Sequence, residues 1–272
     1  METPQINVRS VIRSKSVALE RFLPNFAIRY LERILHQEEI NSILSAYGHL
    51  PGVEAAEALC RYFNIQISVH GLLDIPADGR YLFVSNHPLG GLDGMLLIKV
   101  IGERFPNVKF IVNDLLLNLK LFDDVFVPVN KHGRQSRDYS RLINDTYDSD
   151  APIIYFPAGL CSRMIKGRIV DLPWKKNVFQ KAVRYNRDVV PVYFSGQNSR
   201  FFYRLANVRK RLHIPFNLEM LYLPDEMFKQ KGASFDVHFG MPVPHSAFTP
   251  DTTPDQWTND MRNRVYALPF QT

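Results

Sequence analysis

The chain has 272 residues, and its 33 Lys+Arg against 27 Asp+Glu leave a net charge of +6. Hydrophobic residues at 46% with charged residues at only 22% exclude disorder as the dominant state and are enough for one large core. Two cysteines, Cys60 and Cys161, exclude a disulfide scaffold and a Cys-rich zinc module, and no apolar run reaches the ~18 residues of an ordinary transmembrane helix.

The opening METPQINVRSVIRSK carries no apolar stretch of the signal-peptide kind, so a location inside the cell is expected. The basic excess favours a polyanionic neighbour, either nucleic acid or anionic lipid. Apolar residues at helical spacing predict a helix over 17–34, interrupted at Pro24, which should kink it or split it in two. Its polar positions are mainly Arg21, Arg29 and Arg33, beside Phe22, Leu23 and Phe26. A basic amphipathic helix of this kind suits a membrane interface, although it serves equally as a cap on a core. Further helices are expected over 37–47 and 53–63.

From residue 65 the pattern changes to short apolar runs separated by helical stretches. Strands are expected over 65–70, 81–85, 109–112, 126–129, 153–156, 189–194 and 235–239, and helices over 94–104, 136–145, 176–185 and 200–211. Such alternation predicts an α/β fold, a mixed and largely parallel sheet flanked by helices, behind an N-terminal helical region. In such folds chemistry gathers at the carboxyl ends of strands, here at Asn86-His87, Pro157-Ala158-Gly159 and Ser195-Gly196.

Two of these ends carry chemistry. In YLFVSNHPLGGLDG (81–94) a β-rich run stops at Ser85, His87 follows, and Gly90 and Gly91 allow a bend that returns Asp93 to the imidazole. A carboxylate on one ring nitrogen fixes the tautomer and leaves the other nitrogen free as a base. In IIYFPAGLCSR (153–163) a strand ends at Phe156, and Pro157, Ala158 and Gly159 form a turn that exposes N–H groups. Ser162 and Arg163 then suit a polar or anionic head group.

Together the two blocks resemble the glycerolipid (lysophospholipid) acyltransferase family. That family carries an Asn-His motif with an Asp a few residues on, then a Phe-Pro-Glu-Gly-Thr-Arg-Ser block. NHPLGGLDG (86–94) and FPAGLCS (156–162) stand in the same order, with DDVFVPVNKHGR (123–134) and VVPVYFSGQNS (189–199) similar to the second and fourth blocks. The longer spellings are similar to a hemolysin-annotated bacterial branch that includes acyltransferases for lyso forms of glycine or ornithine lipids. Two features depart from the family. Five residues rather than four separate His87 from Asp93, and Ala158, Leu160 and Cys161 stand where the family has Glu, Thr and Arg.

The resemblance implies an N-terminal helical, membrane-facing region (1–64) and an α/β acyltransferase domain (65–272). It also implies transfer of an acyl chain from acyl carrier protein or CoA to the hydroxyl of a lyso-lipid. His87 would be the general base and Asp93 its partner, with Asn86, Gly90, Gly91, Lys131, Arg134, Phe156, Pro157, Gly159, Ser162 and Arg163 around the substrates. Lys131 and Arg134 would meet the anionic carrier, and N–H groups near Gly90-Gly91 or Gly159 the developing oxyanion. No metal and no bound cofactor are expected, and the protein would sit peripherally on the cytoplasmic side of the inner membrane. With the family's Arg replaced by Cys161, a lyso-glycine or lyso-ornithine lipid is expected as acceptor in preference to an acylglycerol phosphate.

Other readings stand beside this one. A hydrolase would use His87 and Asp93 on water, although no GxSxG elbow is present. A catalytically inactive lipid-binding protein is the non-enzyme alternative. Cys161 as an acyl nucleophile is disfavoured against a small buried packing residue. KHGRQSRDYSR (131–141) is basic, but no nucleic-acid-binding signature accompanies it. His36, His49, His70, His132, His213, His238 and His245 show no ligand-like pairing with cysteine or carboxylate along the chain.

Overall fold

The computed structural model describes residues 5–113, 120–129 and 137–270. Five helices come first: α1 (Val8–Lys15), α2 (Val17–Phe22), α3 (Asn25–Ile34), α4 (Gln37–Tyr47) and α5 (Gly52–Tyr62). Pro24 splits the expected long helix outright and stands at the N-cap of α3 with φ −67° and ψ 151°. Then follow β1 (Gln66–His70), β2 (Tyr81–Ser85), α6 (Leu92–Gly102), β3 (Lys109–Asn113), β4 (Phe126–Val129), α7 (Arg137–Asp148) and β5 (Ile153–Tyr155). The rest comprises β6 (Arg163–Ile165), β7 (Arg168–Val170), α8 (Asn177–Arg184), β8 (Asp188–Phe194), α9 (Arg200–Arg211), α10 (Leu223–Phe228), β9 (Ser234–Phe239) and α11 (Pro254–Ala267).

The main sheet has the order β1-β9-β8-β2-β5-β3-β4. Every neighbouring pair is parallel except β8–β9, so β1 and β9 run against the other five strands. The sheet is therefore mixed and largely parallel, as expected. β6 and β7, not foreseen, form a separate antiparallel hairpin. Pro128 lies in β4, an edge strand, where a missing N–H breaks no central ladder.

All five residues of β2 are buried, and alternate side chains enter opposite layers. Phe83 joins the core under α5 and α6, with Phe110, Val190 and Phe194, whereas Leu82 and Val84 join the core beneath α7, α8 and α11. Helices α4 and α5 contribute Ile43, Leu44, Ala55, Ala56 and Leu59 to the first of these cores. Helix α11 was also missed, although Thr253 and Gln256 at its start form a reciprocal capping box.

One buried charge ties the second layer together. The guanidinium of Arg187, 0% exposed, donates to the carbonyls of Tyr81, Thr146, Tyr147, Ala151 and Ser149, the first four at 3.3, 3.1, 2.8 and 2.8 Å. Three of these acceptors close the C-terminal end of α7, where a cation also meets the negative end of the helix dipole.

Candidate active site

The site begins where β2 ends. Asn86 is buried, and its side chain accepts the N–H of Phe194 at 2.7 Å and donates to the Phe194 carbonyl at 2.9 Å. That double bond fixes the end of β2 against the end of β8, so the expected substrate contact of Asn86 is instead a structural one. The next residue, His87, directs Nδ1 at Asp93 Oδ2, 2.9 Å away. The five-residue spacing therefore closes a dyad.

Asp93 lies in the first turn of α6 and is fully buried. Its carboxylate accepts backbone N–H groups from Leu89 (2.9 Å), Gly90 (3.4 Å), Gly91 (3.1 Å) and Gly94 (3.0 Å). Burial alone would raise the Asp93 carboxyl, but the adjoining His87 ring and the N–H donors of Leu89 and Gly94 outweigh it and hold it below its ordinary value. Of the two loop glycines only Gly90 needs its freedom: its φ is +81°, and a Cβ there would meet Leu223 at 2.8 Å.

The second block supports the first. The Phe156 ring stacks on the His87 imidazole with centroids 4.0 Å apart, and Ser162 donates its backbone N–H to the His87 carbonyl at 2.7 Å. A residue that sequence reasoning passed over, Asp171, gathers the rest. Its Oδ1 accepts the His87 N–H (3.1 Å) and the Ser162 hydroxyl (2.6 Å), and its Oδ2 accepts the Trp174 indole N–H (2.8 Å). The backbone of Asp171 is held by Tyr266 and Arg262 of α11. The only local signal was a lone acidic residue closing an apolar run ahead of Pro173 and Trp174.

His87 lies on the wall of a cavity of about 460 Å³. Apolar and aromatic side chains make most of its lining, among them Met95, Phe110, Phe126, Ile143 and Phe156. Gly90, Gly91 and Gly159 also border it. Their N–H groups, expected as oxyanion donors, are spent inside the protein, the first two on Asp93 and that of Gly159 on the Phe156 carbonyl. Lys175 and Lys181, not singled out from the sequence, bring cationic groups to the same wall. Lys175 is exposed and anchored by its backbone N–H to the Pro157 carbonyl at 3.0 Å. Lys181 packs over the Tyr147 ring and donates to Asn144 at 3.1 Å.

Two expectations need correction. Arg163 does not border the cavity: it is buried, pairs with Glu219 at 3.0 Å and donates to the Cys161 carbonyl at 2.6 Å, while Arg209 holds the other Glu219 oxygen at 2.8 Å. A fully buried carboxylate between two guanidiniums accounts for the burial of an arginine here. Histidines that show no ligand-like pairing along the chain acquire carboxylate partners through the fold, as in His36–Asp225 (3.2 Å), His70–Asp236 (3.3 Å) and His245–Asp188 (2.9 Å). Cys161 is fully buried, and burial pushes its thiol up to about 11, which leaves it protonated at neutral pH. Lys131 and Arg134 lie outside the described residues.

Comparison with known proteins finds relatives over nearly the whole chain. A family model described as acyltransferase matches residues 10–268. A lyso-glycine lipid O-acyltransferase of Bacteroides thetaiotaomicron is 45% identical over 264 residues, which cover 97% of each chain. A lyso-glycine lipid O-acyltransferase of Phocaeicola vulgatus is 42% identical over 264 residues, covering 97% of this chain and 95% of its own. Among solved structures, the 1-acyl-sn-glycerophosphate (LPA) acyltransferase PlsC from Thermotoga maritima superposes with a TM-score of 0.51 at 19% identity. The match covers 96% of this chain and 91% of that one, which shows a shared fold.

Proposed function

This chain belongs to the acyltransferase family, and on that premise we propose that it is a lyso-lipid O-acyltransferase whose base is His87. The observation that carries the reading is the buried Asp93 carboxylate on Nδ1 of a histidine that borders an apolar cavity. Asp93 holds the tautomer in which Nε2 is the basic nitrogen. Nε2 takes the proton of the acceptor hydroxyl as its oxygen attacks the thioester carbonyl. The tetrahedral intermediate then expels the thiolate, which leaves as the thiol with the proton that His87 carries. Asp93 stabilises the imidazolium between these steps. General-base assistance of this kind is worth about 10²–10⁴ in rate. The cavity, of the size of small-ligand pockets, supplies an apolar place for an acyl chain beside the base. The donor is the thioester of acyl carrier protein or CoA.

The acceptor we favour is a lyso-lipid with an amide-linked amino acid, as the names of the two relatives suggest for lyso-glycine lipid. A phosphate monoester would need a well-placed guanidinium, and Arg163 is committed to Glu219. A single carboxylate is within the means of one exposed ammonium such as Lys175.

Among the described residues no helix is long and apolar enough to cross a membrane. A peripheral attachment on the cytoplasmic face of the inner membrane fits an exposed basic and aromatic surface. Phe22 and Phe26, 86% and 76% exposed, flank Pro24 beside exposed Arg21, Arg29 and Arg33. Leu23, expected to share the insertion, is half-buried instead.

The test is thiol release from acyl thioester by the purified protein. Release should require lyso-lipid, should favour lyso-glycine lipid over lysophosphatidic acid in kcat/KM, and should vanish in His87→Ala. Release without acceptor identifies a hydrolase. A preference for lysophosphatidic acid overturns the acceptor assignment, and a Lys175→Gln protein with unchanged preference removes Lys175 from it.

A further inference from the structure

Far from the cavity, on the edge of the sheet, the parallel register of β1 and β9 sets His70 level with His238 and Ser68 level with Asp236. Side chains alternate along a strand, so Asp236 and His238 share one face of β9. Phe235, Val237 and Phe239 fill the core from the other face, which leaves Asp236 exposed and His238 half-buried on the outer one. Across the ladder the His70 ring lies parallel to that of His238, with centroids 4.4 Å apart, and its Nε2 is 3.3 Å from Asp236 Oδ1. The Tyr193 ring stands behind His238, with centroids 6.2 Å apart. Two imidazoles and a carboxylate thus converge on a small patch walled by Tyr193.

We infer that His70, Asp236 and His238 form a divalent transition-metal site, with Zn²⁺ the ion that suits it. One ligand atom from each residue lies within 4.8 Å of the other two. Tetrahedral zinc, with bonds of about 2.0–2.1 Å, draws its ligand atoms to roughly 3.3 Å of one another. The His70 and Asp236 side chains are 50% and 57% exposed, so small rotations close that difference without disturbing the core. Imidazole and carboxylate are both ordinary zinc ligands, and water would complete the shell. The two histidines come from strands 168 residues apart in the chain (70 to 238), which hides the set from any reading of sequence spacing. Among the described residues β1 is an edge strand paired with β9 alone. A metal across the pair would therefore clip β1, and the helices that precede it, onto the sheet.

Zinc chloride titrated into the full chain should show one site by calorimetry, shift the imidazole NMR signals of His70 and His238, and raise the unfolding temperature. His238→Ala, His70→Gln and Asp236→Asn should each weaken that site by about tenfold or more, the scale that even second-shell partners reach. Acyl transfer in zinc-free buffer should be unchanged in Asp236→Asn, because the patch does not border the cavity. Zinc uptake that leaves both imidazole signals in place overturns the site. So does an affinity undiminished in His70→Gln and Asp236→Asn, or no zinc binding at all.

Discussion

Phe156 lies flat against His87, the two ring planes 17° apart. The contact leaves the imidazole little room to rotate about the bond that aims Nε2, while Asp93 holds only one of its edges. Phe156→Leu removes that wall with little loss of apolar volume, and such swaps cost less than about 1.5 kcal/mol of stability. Its kcat should fall by about ten- to a hundredfold through misplacement of the proposed base, with KM for the thioester close to wild type. Steady-state kinetics on the two proteins checks this.

Asp93 makes a pH prediction. Its folded value lies below the ordinary 3.8, so its contribution to stability is complete above that value and is lost as pH falls through the folded one. Asn at this position presents an amide to some of the N–H donors that the carboxylate accepts. Asp93→Asn should therefore be less stable than wild type at pH 7, and the gap should narrow as both proteins are taken into acid below about pH 4. Urea midpoints measured at a series of pH values test the sign. Transfer activity of the same variant should fall by about a hundredfold or more.

Arg163 was expected to meet a ligand and instead neutralises Glu219. Arg163→Met should therefore lower stability by about 3 kcal/mol, because it leaves the buried carboxylate with Arg209 alone. In the folded fraction, KM for the lyso-lipid should be unchanged. Denaturant melts and acceptor kinetics separate these two statements.

What the sequence revealed and what it hid follow from range. β2, β4 and α9 match their expected limits because each is a continuous pattern bounded by clear breaks. The dyad was legible because Gly90 returns the chain on itself within seven residues (87 to 93). Asp171 was not, since it meets His87 from 84 residues away and only the docking of α11 and the β6–β7 hairpin brings it there. Arg163 misled because a free and a buried guanidinium read alike until Glu219, 56 residues on, is placed beside it. The strands of that hairpin have three residues each, too few for a period-two pattern to declare itself. The capping box of α11 was readable and was passed over.

Membrane attachment through α2 and α3 predicts a salt-sensitive affinity for anionic vesicles. Each basic residue near such a surface contributes about 1 kcal/mol, so Arg21, Arg29 and Arg33 changed together to Gln should weaken partitioning by about a hundredfold. Phe22→Ser with Phe26→Ser should weaken binding to neutral vesicles as well. Sedimentation with vesicles of the two compositions measures both, and equal partitioning by the triple variant and wild type refutes the electrostatic part.

Arg187 also bears on how the chain reaches its fold. Its guanidinium is satisfied only when β2 and the 146–151 segment have both arrived around it, and Tyr81 lies 106 residues away. Before that meeting the charge must stay hydrated, which holds back the burial of a neighbouring strand otherwise apolar enough to collapse early. Assembly of the sheet centre should thus wait until distant partners are present, which is expected to slow the search through long loops. Arg187→Met should relax that order. Stopped-flow refolding should show a faster main phase, while the native state that results unfolds sooner in urea, because the carbonyls of Thr146 and Ala151 lose their Arg187 donor and, of the five, Arg80 reaches only those of Tyr147 and Ser149.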